Sequence, residues 1–208
     1  FPRAQRIKWM VCWASEDCST FSKMDQINTR RGTAYRDSTH PSRPPLNPET
    51  SSYGAKAVAA DARVKNTVEM LLELHRSRGL KTLREGSRRV ILDTRDVQVL
   101  LENPVGNMQY QPYIRRSFPP PTVIDYCAYC HPYKKPTHLW HFMHWWRPAG
   151  TTGTGRCGGV CAAGAVNPLT GKHTYTMEAD SRSAVKGAGR RESKHVVPGM
   201  LLMEVMMR

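Results

Sequence analysis

No stretch of this 208-residue chain is apolar for long enough to cross a bilayer, which excludes a membrane-spanning helix. An initiator methionine and an apolar signal segment are also missing. The chain opens Phe1-Pro2-Arg3, as expected of a processed end or the start of an excerpt. Internal repeats are absent, and core-forming residues are modest: hydrophobic residues make up 39% and mean hydropathy is −0.55, the profile of a soluble domain. Acidic residues are the clearest shortage. Seventeen Asp and Glu face 31 Lys and Arg, leaving a net charge of +14. The surplus runs evenly along the chain, which argues against a basic tail on a neutral domain. Charge of this sign and size attracts polyanions through counterion release and steering, so nucleic acid is the expected partner.

The six cysteines are Cys12, Cys18, Cys127, Cys130, Cys157 and Cys161. With no secretory signal, the paired spacings Cys127-x-x-Cys130 and Cys157-x-x-x-Cys161 point to metal or reduced thiols before disulfides. Fifteen Gly and fifteen Pro predict many turns.

Along the chain, Ile7–Trp13 is a compact apolar and aromatic run that predicts a buried strand. It leads into a polar loop, Ala14 to Ser22. Residues 29–56 carry Pro41, Pro44, Pro45 and Pro48 and predict a loop, followed by a helix over 57–78. In that helix Val64, Val68, Leu71, Leu72 and His75 make one apolar stripe, and Gly79 is placed as the stop. A charged connector is expected over 81–96. Then come a second buried strand at Val97–Leu101, short strands near 122–127 and 137–142, and a short helix opening after Pro198. The order predicts an α/β fold in two parts: a core over 1–150 and a Gly- and Cys-containing extension over 151–208 that ends in the short helix.

Two loops carry the chemistry. One presents Cys18 after the first strand, the other Glu102-Asn103-Pro104 after the second. If the strands are parallel neighbours, both loops lie at one sheet edge, where ligands bind in open α/β sheets. A thiolate beside a carboxylic acid suits attack on an electron-poor ring whose nitrogen the acid engages.

These blocks resemble the cytosine-5 DNA methyltransferases, above all the compact phage-like kind. WASEDCSTFS (13–22) is similar to the family's ASPPC-x-x-FS nucleophile loop, and LLENPVGNMQYQPYI (100–114) to its ENP-x-G loop. TVIDYCAYCHPYKKPTHLW (122–140) is similar to TVDYC-x-YG-x-PYRKPT-x-IW. RCGGVC (156–161) with Gly171-Lys172-His173 resembles a cysteine-containing segment that follows. VVPGMLLMEVM (196–206) resembles the family's terminal helix. The resemblance implies a partial Rossmann-like methyltransferase domain. Cys18 would add to C6 of a flipped-out cytosine, Glu102 would hold the N3 edge, and S-adenosylmethionine would give the methyl group. Arg115, Arg116, Lys134 and Lys135 would contact phosphates.

The family's donor-binding loop and first strands precede its nucleophile loop, and only 17 residues precede Cys18 in this chain. The domain is therefore expected to lack its donor-binding strands. Asp17 and Glu16 also stand where the family has proline, and neighbouring carboxylates raise a thiol's pKa. Lys134 replaces an arginine and its fork geometry. These departures favour one expectation, a degenerate copy kept as a basic DNA- or RNA-binding subunit of a nucleoprotein assembly such as an organellar ribosome. The alternative is the catalytic part of an active DNA (cytosine-5)-methyltransferase. Either is expected inside the cell, the first in a mitochondrion or another organelle beside other proteins.

The C-x2-C…C-x3-C layout of Cys127, Cys130, Cys157 and Cys161 suits tetrahedral zinc. In a strand, residues three apart face opposite sides, so Cys130 joins only if a turn follows Cys127. A second set, Cys127, Cys157, Cys161 and His173, needs no such turn. The run Trp140 to Trp146 is either core and rim or a base-stacking platform.

Overall fold

The computed structural model describes residues 5–7, 11–16, 19–21, 34–77, 79–85, 88–93, 97–131, 133–158, 169, 173, 175–176 and 197–207. By contacts the chain separates into two compact units. The first is Phe1–Pro121 with Leu139–Met143, the second Thr122–His138 with His144–Arg208. This division cuts elsewhere than the boundary at residue 150 drawn from composition.

The apolar run at the start forms two strands, β1 (Gln5–Ile7) and β2 (Val11–Ser15), which enter different sheets. The expected single strand Ile7–Trp13 is thus corrected. After residues 34–51, loop apart from an isolated bridge between Arg36 and Pro45, comes α1 (Ser52–Arg76). The helix starts five residues earlier than its apolar stripe suggested, because Ser51 caps it by accepting from the Gly54 N–H at 3.4 Å. Ala57, Ala60, Val64, Val68 and Leu71 are buried on one face. Fully burying a Val or Leu side chain stabilises by about 1.5–3 kcal/mol, so this stripe is what docks the helix. His75 and Arg76 in the last turn suit the negative end of its dipole. Ser77, not Gly79, is the C-cap.

The expected charged connector is instead a pair of antiparallel strands, β3 (Leu80–Glu85) and β4 (Arg88–Asp93). Charges alternate with Leu80, Thr82 and Leu83 in β3, and Val90-Ile91-Leu92 gives β4 an apolar run that a charge count hides. With β1 parallel to β4 they form a three-stranded sheet, β1-β4-β3.

β5 (Gln98–Pro104) is buried from Val99 to Asn103, as expected of a strand with neighbours on both sides. A 3-10 turn (Asn107–Tyr110) and α2 (Pro112–Ser117) follow. Then come β6 (Thr122–Asp125), a 3-10 turn (Tyr126–Tyr129), β7 (Tyr133–Lys134) and β8 (Pro136–His141). β9 (Tyr175–Thr176) pairs in parallel with β7, and α3 (Gly199–Met206) opens at Pro198 as predicted. The fold is mixed α/β, and its four-stranded mixed sheet, β2-β5-β8-β6, is compatible with a methyltransferase-like fold. No helix of the described residues is long and apolar enough to cross a membrane.

The core of the first unit gathers Phe21, Val64, Val68, Leu71, Val99, Leu101, Met108, Ile114 and Trp140 around β5. Phe142 stacks between His75 and Phe118, with centroids 4.1 and 5.3 Å apart. In the tryptophan run Trp140 and Trp146 are buried and Trp145 is exposed, so most of the run is core and rim.

Candidate functional site

β2 and β5 are parallel neighbours, with Ser15 opposite Glu102 in the register. The expectation that both loops leave one sheet edge therefore holds for the described residues. Cys18 and Asp17 lie outside them. The residues on either side of that dipeptide are tied down. Glu16 accepts from the Thr67 hydroxyl of α1, and its backbone carbonyl accepts from Asn103 Nδ2 at 3.2 Å. Downstream, Phe21 is fully buried and its carbonyl accepts from the Asn107 N–H at 2.6 Å. The chain on both flanks of Cys18 is thus joined to β5 and to the segment that follows it.

Glu102 is 1% exposed and accepts a hydrogen bond from the Ser15 hydroxyl. A buried carboxyl needs such a partner, because desolvation penalises any charge or lone pair left unmatched. It stands at the strand end with one oxygen held by Ser15, a fixed polar group at the edge of an apolar sheet.

Arg36 contacts Thr20 and Phe21, downstream of Cys18 in the sequence, and was not anticipated, since its segment reads as proline-rich loop. It is fully buried, with Nη1 and Nη2 donating to both Asp61 oxygens at 3.1 and 2.8 Å. Its Nε donates to the Thr20 carbonyl at 2.9 Å, and the guanidinium lies 4.2 Å from the Phe21 ring centroid. The fork geometry satisfies a carboxylate and a backbone carbonyl together, which lysine cannot do. Asp61 also accepts from the Tyr113 hydroxyl at 2.9 Å. Burial first, and the Asp61 charge second, push the Tyr113 pKa well above its ordinary value, so this hydroxyl stays a donor. Ser15 lies in WASEDCSTFS and Asn103 in LLENPVGNMQYQPYI, yet nothing in sequence marks them as contacts.

Among the expected phosphate contacts, Arg115 and Arg116 are exposed on α2 and Lys134 is exposed on β7. Lys135 is 5% exposed with its ammonium 4.5 Å from the Tyr126 ring centroid. Its ammonium is thus less open to solvent than the side chains of Arg115, Arg116 and Lys134. Arg115 also borders a cavity of about 270 Å³ with Phe118, Pro119, Pro121 and Trp140; Glu102 does not line it.

The cysteines divide differently from the C-x2-C reading. Cys127, Cys157 and His173 bring their ligand atoms within 4.8 Å of one another, three members of the second expected set. Cys161 lies outside the described residues. A turn does follow Cys127, but Cys130 leaves it in the left-handed region (φ 62°), exposed, with Sγ 3.7 Å from Met200 Sδ. Cys130 is therefore not in this cluster.

No family model matches the chain, and no solved structure matches it. The chain is similar to a protein of Frog virus 3 (isolate Goorha) described as a probable DNA (cytosine-5)-methyltransferase. The two are 25% identical over 198 residues, which make up 94% of this chain and 73% of the relative. That likeness, over nearly the whole chain, supports a relationship between this chain and the cytosine-5 DNA methyltransferase family.

Proposed function

We propose that this chain carries the target-base side of a DNA (cytosine-5)-methyltransferase, with Cys18 as nucleophile and Glu102 as the group that holds the cytosine ring. The observation that carries the reading is the parallel β2–β5 register. It sets Ser15, three residues before Cys18 in the sequence, beside Glu102 in neighbouring strands. On this reading the four-stranded sheet is part of a Rossmann-like methyltransferase sheet, used at its carboxyl edge as such sheets are.

In the family that the chain resembles, S-adenosylmethionine supplies the methyl group. Among the described residues no strand runs into a glycine-rich turn and helix of the kind that cradles such a cofactor. The residues present do not assign its site. The Cys18 thiolate forms a bond to C6 of cytosine, and the ring electrons move toward C5 and N3. Glu102, hydrogen-bonding at N3, stabilises that charge where it develops. Release needs the methyl group that the donor would supply at C5; the C5 hydrogen would then leave as a proton as the C6–S bond breaks and the thiolate is restored. C5 and C6 lie inside the stack in duplex DNA, so the base must be turned out. Arg115, Arg116 and Lys134 are exposed cations suited to the phosphates on either side, and the charge of +14 serves approach to DNA. The other reading, a basic ribosomal or structural subunit, rests on charge and sequence departures alone, and the likeness to the viral protein favours the enzyme.

The test is to trap the native protein on DNA carrying 5-fluorocytosine in the presence of S-adenosylmethionine. Fluorine cannot leave C5 as a proton does, so the C6–S bond persists. A denaturation-resistant adduct that Cys18→Ser abolishes is expected. DNA binding with neither adduct nor methyl transfer would overturn the reading.

A further inference from the structure

A second centre lies in the second unit, independent of the methyl-transfer reading. We propose that Cys127, Cys157 and His173 bind a zinc ion that ties three chain segments together. Cys127 is fully buried in the 3-10 turn after β6, and Cys157 is 30 residues downstream. Between them the chain turns at Gly150 and Gly155, both with positive φ (54° and 65°). A Cβ on Gly150 would lie 2.4 Å from the Ala128 carbonyl oxygen, and one on Gly155 would lie 2.6 Å from Pro148 Cβ. Only glycine allows that close an approach of two turns.

Backbone pairing then fixes the approach. Thr151 Oγ1 donates to the Ala128 carbonyl at 3.1 Å, and the Asp125 N–H donates to the Gly155 carbonyl at 2.8 Å. Asp125, 2% exposed, orients Cys157 itself: its Oδ2 accepts from the Cys157 N–H at 2.9 Å and pairs with Arg156 Nε at 3.0 Å. The parallel pairing of β7 with β9, Tyr133 opposite Tyr175, carries the segment with His173. The result is Cys157 Sγ at 3.0 Å from His173 Nε2, with Cys127 in the same 4.8 Å group.

Zinc–sulfur bonds of about 2.3 Å and zinc–nitrogen bonds of about 2.0–2.1 Å at tetrahedral angles put ligand atoms roughly 3.5–3.8 Å apart. The group found here needs shifts of about an ångström or less to meet that. Two thiolates and an imidazole are soft to intermediate donors, which select zinc over magnesium or calcium. The carboxylate behind Cys157 is the kind of outer partner that holds a ligand in place.

Cys130 provides an internal control, since it shares the C-x2-C spacing yet sits exposed beside Met200. Native protein purified without chelator should carry about one zinc per chain. With zinc bound, an alkylating reagent should modify Cys130 and spare Cys127 and Cys157; chelation should open both to reaction. Zinc should be lost in Cys157→Ser and kept in Cys130→Ser. Replacement by cobalt should give the absorption of a tetrahedral thiolate site, which decides the matter on unmutated protein if Cys157→Ser fails to fold. Zinc well below one per chain even after reconstitution, equal alkylation of all three thiols with and without chelator, or full occupancy in Cys157→Ser would each overturn the site.

Discussion

Ser15 meets Glu102 because two neighbouring strands hydrogen-bond in parallel register, whereas Cys127 meets Cys157 because a glycine turn folds back onto a 3-10 turn. In the first region the ladder of backbone bonds does the positioning, and one residue of slip would turn every side chain to the other face. In the second, position depends on close contacts at a few points, each vulnerable to a single Cβ. The difference teaches that the sheet edge should tolerate changes in its loops as long as buried β5 stays in register. The cluster should fail at its glycines as readily as at its ligands.

The largest effect is expected from Glu102→Gln, which keeps size and the contact with Ser15 but changes what the side chain offers to N3. Methyl transfer should fall by about 10²–10⁴-fold in single-turnover assays with little change in unfolding midpoint. A parallel loss of stability would instead make Glu102 a structural acceptor.

Arg36→Met comes next. It leaves Asp61 buried without its bidentate partner and frees the Thr20 carbonyl, so denaturant unfolding should show a loss of about 3–5 kcal/mol. Adding Asp61→Leu should recover part of it. If the single change were neutral, the loop after β2 would not depend on this pair.

A smaller loss, about 1–3 kcal/mol, is expected for Gly150→Ala from its positive φ and the Ala128 carbonyl. Metal content should drop with it, while trapping at the Glu102 edge should stay. Loss of both activities together would break the contrast between the regions.

The surface should respond more weakly. Arg115→Gln and Arg116→Gln should each lower the salt slope of DNA binding by about one, and Lys135→Gln should leave it unchanged. The smallest effect concerns Cys12, whose thiol pKa burial pushes up. Its thiolate fraction near pH 8 is correspondingly low and its sulfur is partly buried, so it should alkylate more slowly than exposed Cys130.

Much of the fold was legible where hydrophobic pattern and burial coincide. Val97 to Leu101 announces β5, the stripe Val64–Val68–Leu71 announces α1, and Pro198 announces α3. The β3–β4 pair was not, because its Lys and Arg residues read as connector until the backbone pairing is seen. Lys135 and Cys130 show the same limit at the level of single residues. Both sit in the right motif, one buried against Tyr126 and the other turned away at a left-handed position.

By itself the sequence determined the two chemical segments, WASEDCSTFS and LLENP, the positive charge and the set of soft ligands, because residue type and order are local properties. Only the tertiary structure decided that Glu102 is buried beside Ser15 and that Arg36 holds Asp61 and Thr20. It also decided that His173 takes the place beside Cys157 that the Cys130 spacing had suggested. Those choices depend on strand register and on where glycine lets two turns approach, and neither is written in the spacing of residues along one chain.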